Sequence, residues 1–202
     1  MNNDLMFSSV NQAWETRWHT FNQIQEKLGR NYNLDPCCEK ETSKCDNFLT
    51  KEDDMFKVEN PFKKMPEGTL SVNMFINPPY AREQKKFVEK VADWCEYDNI
   101  IADVLIPSRT GTQLFHDIIL PKATSIYFIK GRLVFGEDSY WQWLWEQEFI
   151  DNGKGGLKKN TLYKKYNRRD AAPFDSMIVT FGEKTPLKIT DLVLDKENYK
   201  KY

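Results

Sequence analysis

Strands alternate with helices along this 202-residue chain, and the alternation predicts an α/β fold, a mostly parallel sheet with helices on both faces. Two observations carry that prediction. Ile100-Ile-Ala-Asp-Val-Leu-Ile106 is a nearly continuous apolar run, the mark of a strand covered on both sides. Residues 9–28 and 81–97 instead place apolar residues at three- and four-residue steps, as amphipathic helices do.

The elements follow in order. In the first helix Val10, Trp14, Trp18, Phe21, Ile24 and Leu28 form the apolar stripe, and Gly29 stops it. Residues 31–35 make a short strand ending in an acid, Asp35. Between 69 and 76 the even positions Leu70, Val72, Met74 and Ile76 are apolar and the odd positions are free to face solvent, which reads as a strand. Asn77-Pro78-Pro79-Tyr80 is then the loop at its carboxyl end, where open α/β sheets bind ligands. The second helix turns Phe87, Val88, Val91, Trp94 and Cys95 to one side. After the strand at 100–106, residues 113–120 suit another helix, and 125–130, 133–135 and 176–181 further strands. The length fits one domain, residues 1–202.

Composition narrows the class. A 40% hydrophobic and 14% aromatic chain suits a folded globule. No apolar run reaches the length of a membrane span, and the N-terminus has no basic region followed by an apolar stretch, so a cytoplasmic protein without a membrane partner is expected. Cys37, Cys38, Cys45 and Cys95 lack paired metal-ligand spacing, so reduced, partly buried thiols are expected, and no metal. Formal net charge is −1, so a nucleic-acid partner has to be sought in local patches.

One patch stands out. Residues 136–172 carry Tyr140, Trp141, Trp143, Trp145 and Phe149 and then a basic run. Within 151–170 seven cations (Lys154, Lys158, Lys159, Lys164, Lys165, Arg168, Arg169) meet two acids, a local balance of +5, so the rest of the chain sums to −6. Interleaved with Asn160, Thr161, Tyr163, Tyr166 and Asn167, these cations suit phosphate contacts and groove reading. A solvated, glycine-loosened loop beside an ordinary tryptophan wedge fits the same residues.

The chemistry that wants Asn-Pro-Pro-Tyr is methyl transfer to a planar exocyclic amine. The lone pair of an adenine amino nitrogen is spread into the ring until both N–H groups meet acceptors that favour a pyramidal nitrogen. Asn77 offers its side-chain oxygen and Pro78 its carbonyl. Two prolines fix φ and remove donors, leaving a stiff backbone that presents only acceptors. Tyr80 supplies a ring on which a base can stack, worth about 1–3 kcal/mol. A plain rigid turn with a surface aromatic has the same sequence.

Trp14-Glu-Thr16, Leu34-Asp35-Pro-Cys-Cys38, Thr50-Lys-Glu-Asp-Asp54, Phe75-Ile-Asn-Pro-Pro-Tyr80, Leu105-Ile-Pro-Ser-Arg-Thr110, Phe115-His116 and Gly131-Arg-Leu-Val-Phe135 follow one another in an order that resembles the phage-type, Dam-like DNA N6-adenine methyltransferases, across roughly residues 14–181. The resemblance implies a Rossmann-like methyltransferase fold, S-adenosylmethionine as cofactor, double-stranded DNA as partner, and a monomer or weak homodimer in a bacterial cell or phage-infected host. It implies that Trp14 and Thr16 help hold the methionine end of the cofactor, that Asp35 meets its ammonium or ribose, and that Asp53 or Asp54 accepts from its adenine or ribose. Asn77, Pro78, Pro79 and Tyr80 become the catalytic motif, acting on an adenine flipped out of the duplex. Arg109 joins Lys158, Lys159, Lys164, Lys165, Arg168 and Arg169 as a DNA contact. Arg132 and His116 match recurrent positions of undefined role, and a lone imidazole on such a helix is more often a core or cap residue.

The chain departs from the pattern twice. Arg17 stands where the family usually has proline, and Asp35-Pro-Cys-Cys-Glu39 replaces the glycine-rich cofactor turn. Asn-Pro-Pro-Tyr also occurs in enzymes acting on RNA bases or protein glutamine amides. The absent glycine turn suits a catalytically silent DNA-binding relative.

Overall fold

The computed structural model describes residues 14–80, 83–153 and 155–197. Its strands are β1 (Leu34–Asp35), β2 (Asn47–Phe48), β3 (Val72–Ile76), β4 (Ile100–Pro107), β5 (Ser125–Ile129), β6 (Phe149–Asp151), β7 (Leu157–Lys159), β8 (Ser176–Phe181) and β9 (Lys188–Leu192). Its α-helices are α1 (Trp18–Leu28), α2 (Gln84–Trp94), α3 (Leu120–Lys122) and α4 (Asp138–Glu146). Seven strands form one sheet in the order β2-β1-β3-β4-β8-β5-β9, and β6 and β7 form a separate hairpin.

The sheet is mixed, mostly parallel with one reversed strand that the sequence did not foretell. β1/β2, β1/β3, β3/β4 and β5/β9 run parallel, but β8 lies antiparallel between β4 and β5. Chain tracing explains the reversal. The segment after β5 returns to the same sheet edge at which β5 ends, so β8 has to start there and run back. Ser176-Met-Ile-Val-Thr-Phe181 is buried throughout, and a uniformly buried strand carries no sequence mark of its direction.

Strand alternation divides the core between two faces. Val72, Met74 and Ile76 of β3 and Ala102, Val104 and Ile106 of β4 pack with Val88, Val91 and Trp94 of α2. On the other face Phe75, Leu105 and Ile178 pack with Phe21 and Ile24 of α1. β3 is therefore covered at Phe75 too, where solvent was expected, while Leu70 precedes the strand and is 85% exposed. Asp103 shares the α1 face, fully buried, and receives hydrogen bonds from Arg30 Nε (2.9 Å), the Tyr32 hydroxyl (2.7 Å) and the Thr180 hydroxyl.

Other boundaries moved for local reasons. α1 begins at Trp18, whose N–H donates to the Glu137 carboxylate at 2.6 Å, so Trp14 lies ahead of the helix, and Val10 is outside the described residues. Gly29 ends α1 in the left-handed conformation, as its position foretold. Residues 114–119 form a wide π-helical turn leading into α3. Leu133 and Phe135 are buried in irregular chain instead of a strand.

Candidate active site

Because β1, β3 and β4 are parallel, their carboxyl ends and following loops share one edge of the sheet. A cleft of about 780 Å³ opens there. Trp14, Thr16, Asp35, Asp54 and all four residues of Asn77-Pro78-Pro79-Tyr80 line it, so segments far apart in sequence converge on one cavity. Phe56, Phe75 and Phe87 give it an apolar wall.

Asn77 follows the last residue of β3 directly, and the strand holds its backbone. Its Nδ2 donates to the Trp14 carbonyl at 2.7 Å, which leaves Oδ1 as the free end of the amide. Asn77 Oδ1, Thr16 Oγ1 and the Tyr80 hydroxyl are buried, and among the described residues none of the three has a hydrogen-bond partner. Leaving such a group unsatisfied costs about 1–3 kcal/mol, and all three belong to residues that line the cleft. The Tyr80 ring meets Phe174 at 5.3 Å, Trp14 at 5.9 Å and Phe135 at 6.1 Å, and burial pushes its hydroxyl pKa well up.

Asp35 ends β1 and is 4% exposed. It accepts the Lys44 and Cys37 backbone N–H groups at 3.2 and 3.4 Å, yet burial dominates and pushes its pKa up to about 6. The turn after it is built from half-buried Cys37 and Cys38, and burial pushes the Cys37 thiol up to about 12, so it acts as a small neutral side chain. Asp53 and Asp54 separate cleanly. Asp54 lines the cleft and caps the turn at Phe56, whereas Asp53 folds back onto Thr50 N and Oγ1 at 2.9 and 3.1 Å and does not line it.

A model of the family "DNA N-6-adenine-methyltransferase (Dam)" matches residues 5–179. The chain belongs to this family. No curated protein and no solved structure matches it. Membership in the DNA N6-adenine methyltransferases implies DNA as substrate, and the mixed seven-stranded sheet is compatible with a methyltransferase fold.

For a DNA adenine methyltransferase the segment 136–172 is the natural place to look for DNA contacts, and it sorts into surface and interior. Lys158 and Lys159 are exposed on β7, and Lys164, Lys165, Arg168 and Arg109 are also exposed, while Lys154 is outside the described residues. Arg169 is the correction. Its side chain is 1% exposed, pairs with Asp138 at 3.0 Å and lies over the Trp145 ring at 5.2 Å, so it supports the segment from within. Asn160, expected to read a groove, is buried and donates to the Leu144 and Gln147 carbonyls at 2.7 and 2.8 Å. His116 is exposed and not a core or cap residue, and Arg132 sits beside Asp175 at 3.6 Å.

Sequence reasoning missed Glu15 and Lys44, both in the cleft wall. Lys44 is 6% exposed, donates to Glu15 at 2.7 Å and lies over the Trp18 ring at 4.7 Å. Burial pushes the Glu15 pKa up, against the pull of the Lys44 ammonium. Glu15 had a signal in its place between Trp14 and Thr16, but Lys44, in a polar stretch, had none. Arg17 is also explained. It is 3% exposed, donates to Glu197 (2.7 and 2.9 Å), Asp138 (2.8 Å) and the Gly136 carbonyl, and ties the Trp14–Thr16 segment to the start of 136–172.

Proposed function

We propose that this chain methylates the N6 amino group of adenine at specific sites in double-stranded DNA, with S-adenosylmethionine as donor and the target base flipped out. The observation that carries the reading is the orphaned Asn77 Oδ1, in one cleft with Thr16 Oγ1 and the Tyr80 hydroxyl. A volume of about 780 Å³ suits a nucleoside-sized donor and a base together. Trp14, Thr16, Asp35 and Asp54 would hold the donor, with Glu15 and Lys44 behind them. When bound, S-adenosylmethionine supplies a methyl group on a positively charged sulfur.

The chain's part is alignment and charge stabilisation. Asn77 Oδ1 and the Pro78 carbonyl accept the two amino hydrogens of the adenine, which turns the nitrogen lone pair out of the ring. The same oxygens stabilise the positive charge that builds on nitrogen until one proton leaves to water. Flipping costs a few kcal/mol of pairing and stacking, offset by packing at Tyr80 and by phosphate contacts from Arg109, Lys158, Lys159, Lys164, Lys165 and Arg168. The segregated positive charge of 151–170 favours nucleic acid over a protein amide as substrate.

The test is Asn77→Ala, read by tritiated-methyl transfer to duplex DNA and by calorimetry with S-adenosylmethionine. Methyl transfer falls about 10²- to 10³-fold, the scale of losing one preorganised polar group, while cofactor affinity changes little. Equal loss of both refutes the role, and parallel arms with RNA and a glutamine-bearing protein identify any other substrate.

A further inference from the structure

Asn77 is useful to an amine only if its oxygen faces the cleft. An amide side chain can rotate by half a turn and present its NH₂ instead, which would aim donors at donors. Something has to choose, and the neighbour that chooses is the Trp14 carbonyl. A carbonyl only accepts, so at 2.7 Å from Nδ2 it admits the NH₂ end of the amide and turns Oδ1 the other way.

That carbonyl is itself held. The Trp14 ring meets Phe174 at 5.3 Å, Phe135 at 5.8 Å and Tyr80 at 5.9 Å. The next residue is pinned through its backbone, the Gly136 N–H donating to the Glu15 carbonyl at 2.8 Å. Thr16 and Arg17 beyond it are each 3% exposed. We infer that Trp14 is a positioning residue for the methyl transfer: four packed rings fix its backbone carbonyl, and the carbonyl fixes the rotation of the Asn77 amide so that Oδ1 meets the substrate amine. The inference rests on the functional reading above and gives Trp14 a task separate from holding the cofactor.

Two substitutions test it. Trp14→Ala empties the ring cluster and frees the carbonyl, so methyl transfer at saturating cofactor and DNA falls about a hundredfold, the scale of a 1 Å misplacement. Cofactor affinity falls as well, because Trp14 also helps hold the donor, so the rate is read at saturation, where a residual loss reports alignment alone, and Trp14→Phe, which refills the cluster, restores the larger part of the rate. Asn77→Asp keeps an acceptor for the amine but has no hydrogen to give the Trp14 carbonyl at neutral pH, so it is poorly active there. Its rate relative to wild type rises as pH falls, since a protonated carboxyl can donate to Trp14 with one oxygen and accept from the amine with the other.

A Trp14→Ala defect confined to cofactor affinity, or an Asn77→Asp to wild-type ratio flat with pH, overturns the inference. A readout that needs no activity accompanies these. In the free protein the Asn77 side-chain NH₂ protons, assigned by their loss in Asn77→Asp, exchange slowly with solvent, and Trp14→Ala removes that protection while circular dichroism stays native. Unprotected protons in wild type overturn the positioning role on their own. A wild-type protein with protected protons that methylates nothing overturns the functional reading and leaves the amide geometry standing.

Discussion

Replacing Arg17 by alanine removes a guanidinium that is 3% exposed and satisfies three partners, Gly136, Asp138 and Glu197, in two segments. Burial pulls the Arg17 pKa down, but hydrogen bonds to Glu197 and Asp138 outweigh that and hold it above its ordinary value, so the network favours the charged form. Breaking a buried ion pair from one side costs about 3–5 kcal/mol. Asp138 and Glu197 keep 34% and 21% side-chain exposure, and Asp138 retains Arg169 at 3.0 Å, so water and Arg169 recover part of that. The expected loss is about 2–3 kcal/mol, after discounting the upper range for re-solvation. Arg17→Pro is the informative companion. Arg17 has φ −65°, the value a proline ring imposes, so proline loses the same ion pairs but regains about 0.4–1 kcal/mol through a less flexible unfolded chain. Urea unfolding should rank wild type above Arg17→Pro and Arg17→Ala last, with m-values unchanged. A loss below about 0.5 kcal/mol for alanine, the range of ordinary surface substitutions, or proline falling below alanine, refutes this account of Arg17.

Two further outcomes follow from single residues. Gly182 has φ +90° and any Cβ would lie 2.1 Å from the Ile100 carbonyl oxygen, so Gly182→Ala should cost about 3 kcal/mol or more by thermal unfolding; Gly153→Ala, also at positive φ but with nothing within 4 Å, should cost about 1 kcal/mol. Asp35 is raised from 3.8 to about 6 by burial, so between those pH values the folded state holds a proton that the unfolded state gives up. Its contribution to stability is therefore full below pH 3.8 and lost as pH rises through about 6, a change of about 3 kcal/mol at 1.36 kcal/mol per unit. The stability difference between wild type and Asp35→Asn, measured by urea at each pH, should fall across that window, and a flat difference would show that Asp35 ionises normally.

Much of the cleft was legible because its elements are local. Asn77-Pro78-Pro79-Tyr80 ends a strand whose apolar pattern is visible in five residues, and Gly29 announces the end of α1. What could not be read were long-range choices. Trp14 fits a helical stripe as well as it fits a ring cluster, and only packing against Phe135 and Phe174 decides. Arg169 and Lys159 look alike in a basic run, but one has Asp138 and Trp145 beside it and the other has water. Asp53 and Asp54 differ by one step along the chain, and a tight turn at Thr50 claims the first. The direction of β8 was hidden by its uniform burial, and with it the mixed character of the sheet.

Phe135 and Phe174 bracket the segment 136–172, and both rest against Tyr80. The segment between them has a small apolar heart of its own in Trp141, Leu144, Trp145 and Leu162, and Arg17 and Trp18 hold its start through Gly136, Asp138 and Glu137. A unit with its own heart can be exchanged in one piece while Asn77, which lies outside it, keeps its place at the end of β3. For an engineer, the two phenylalanines are the splice points.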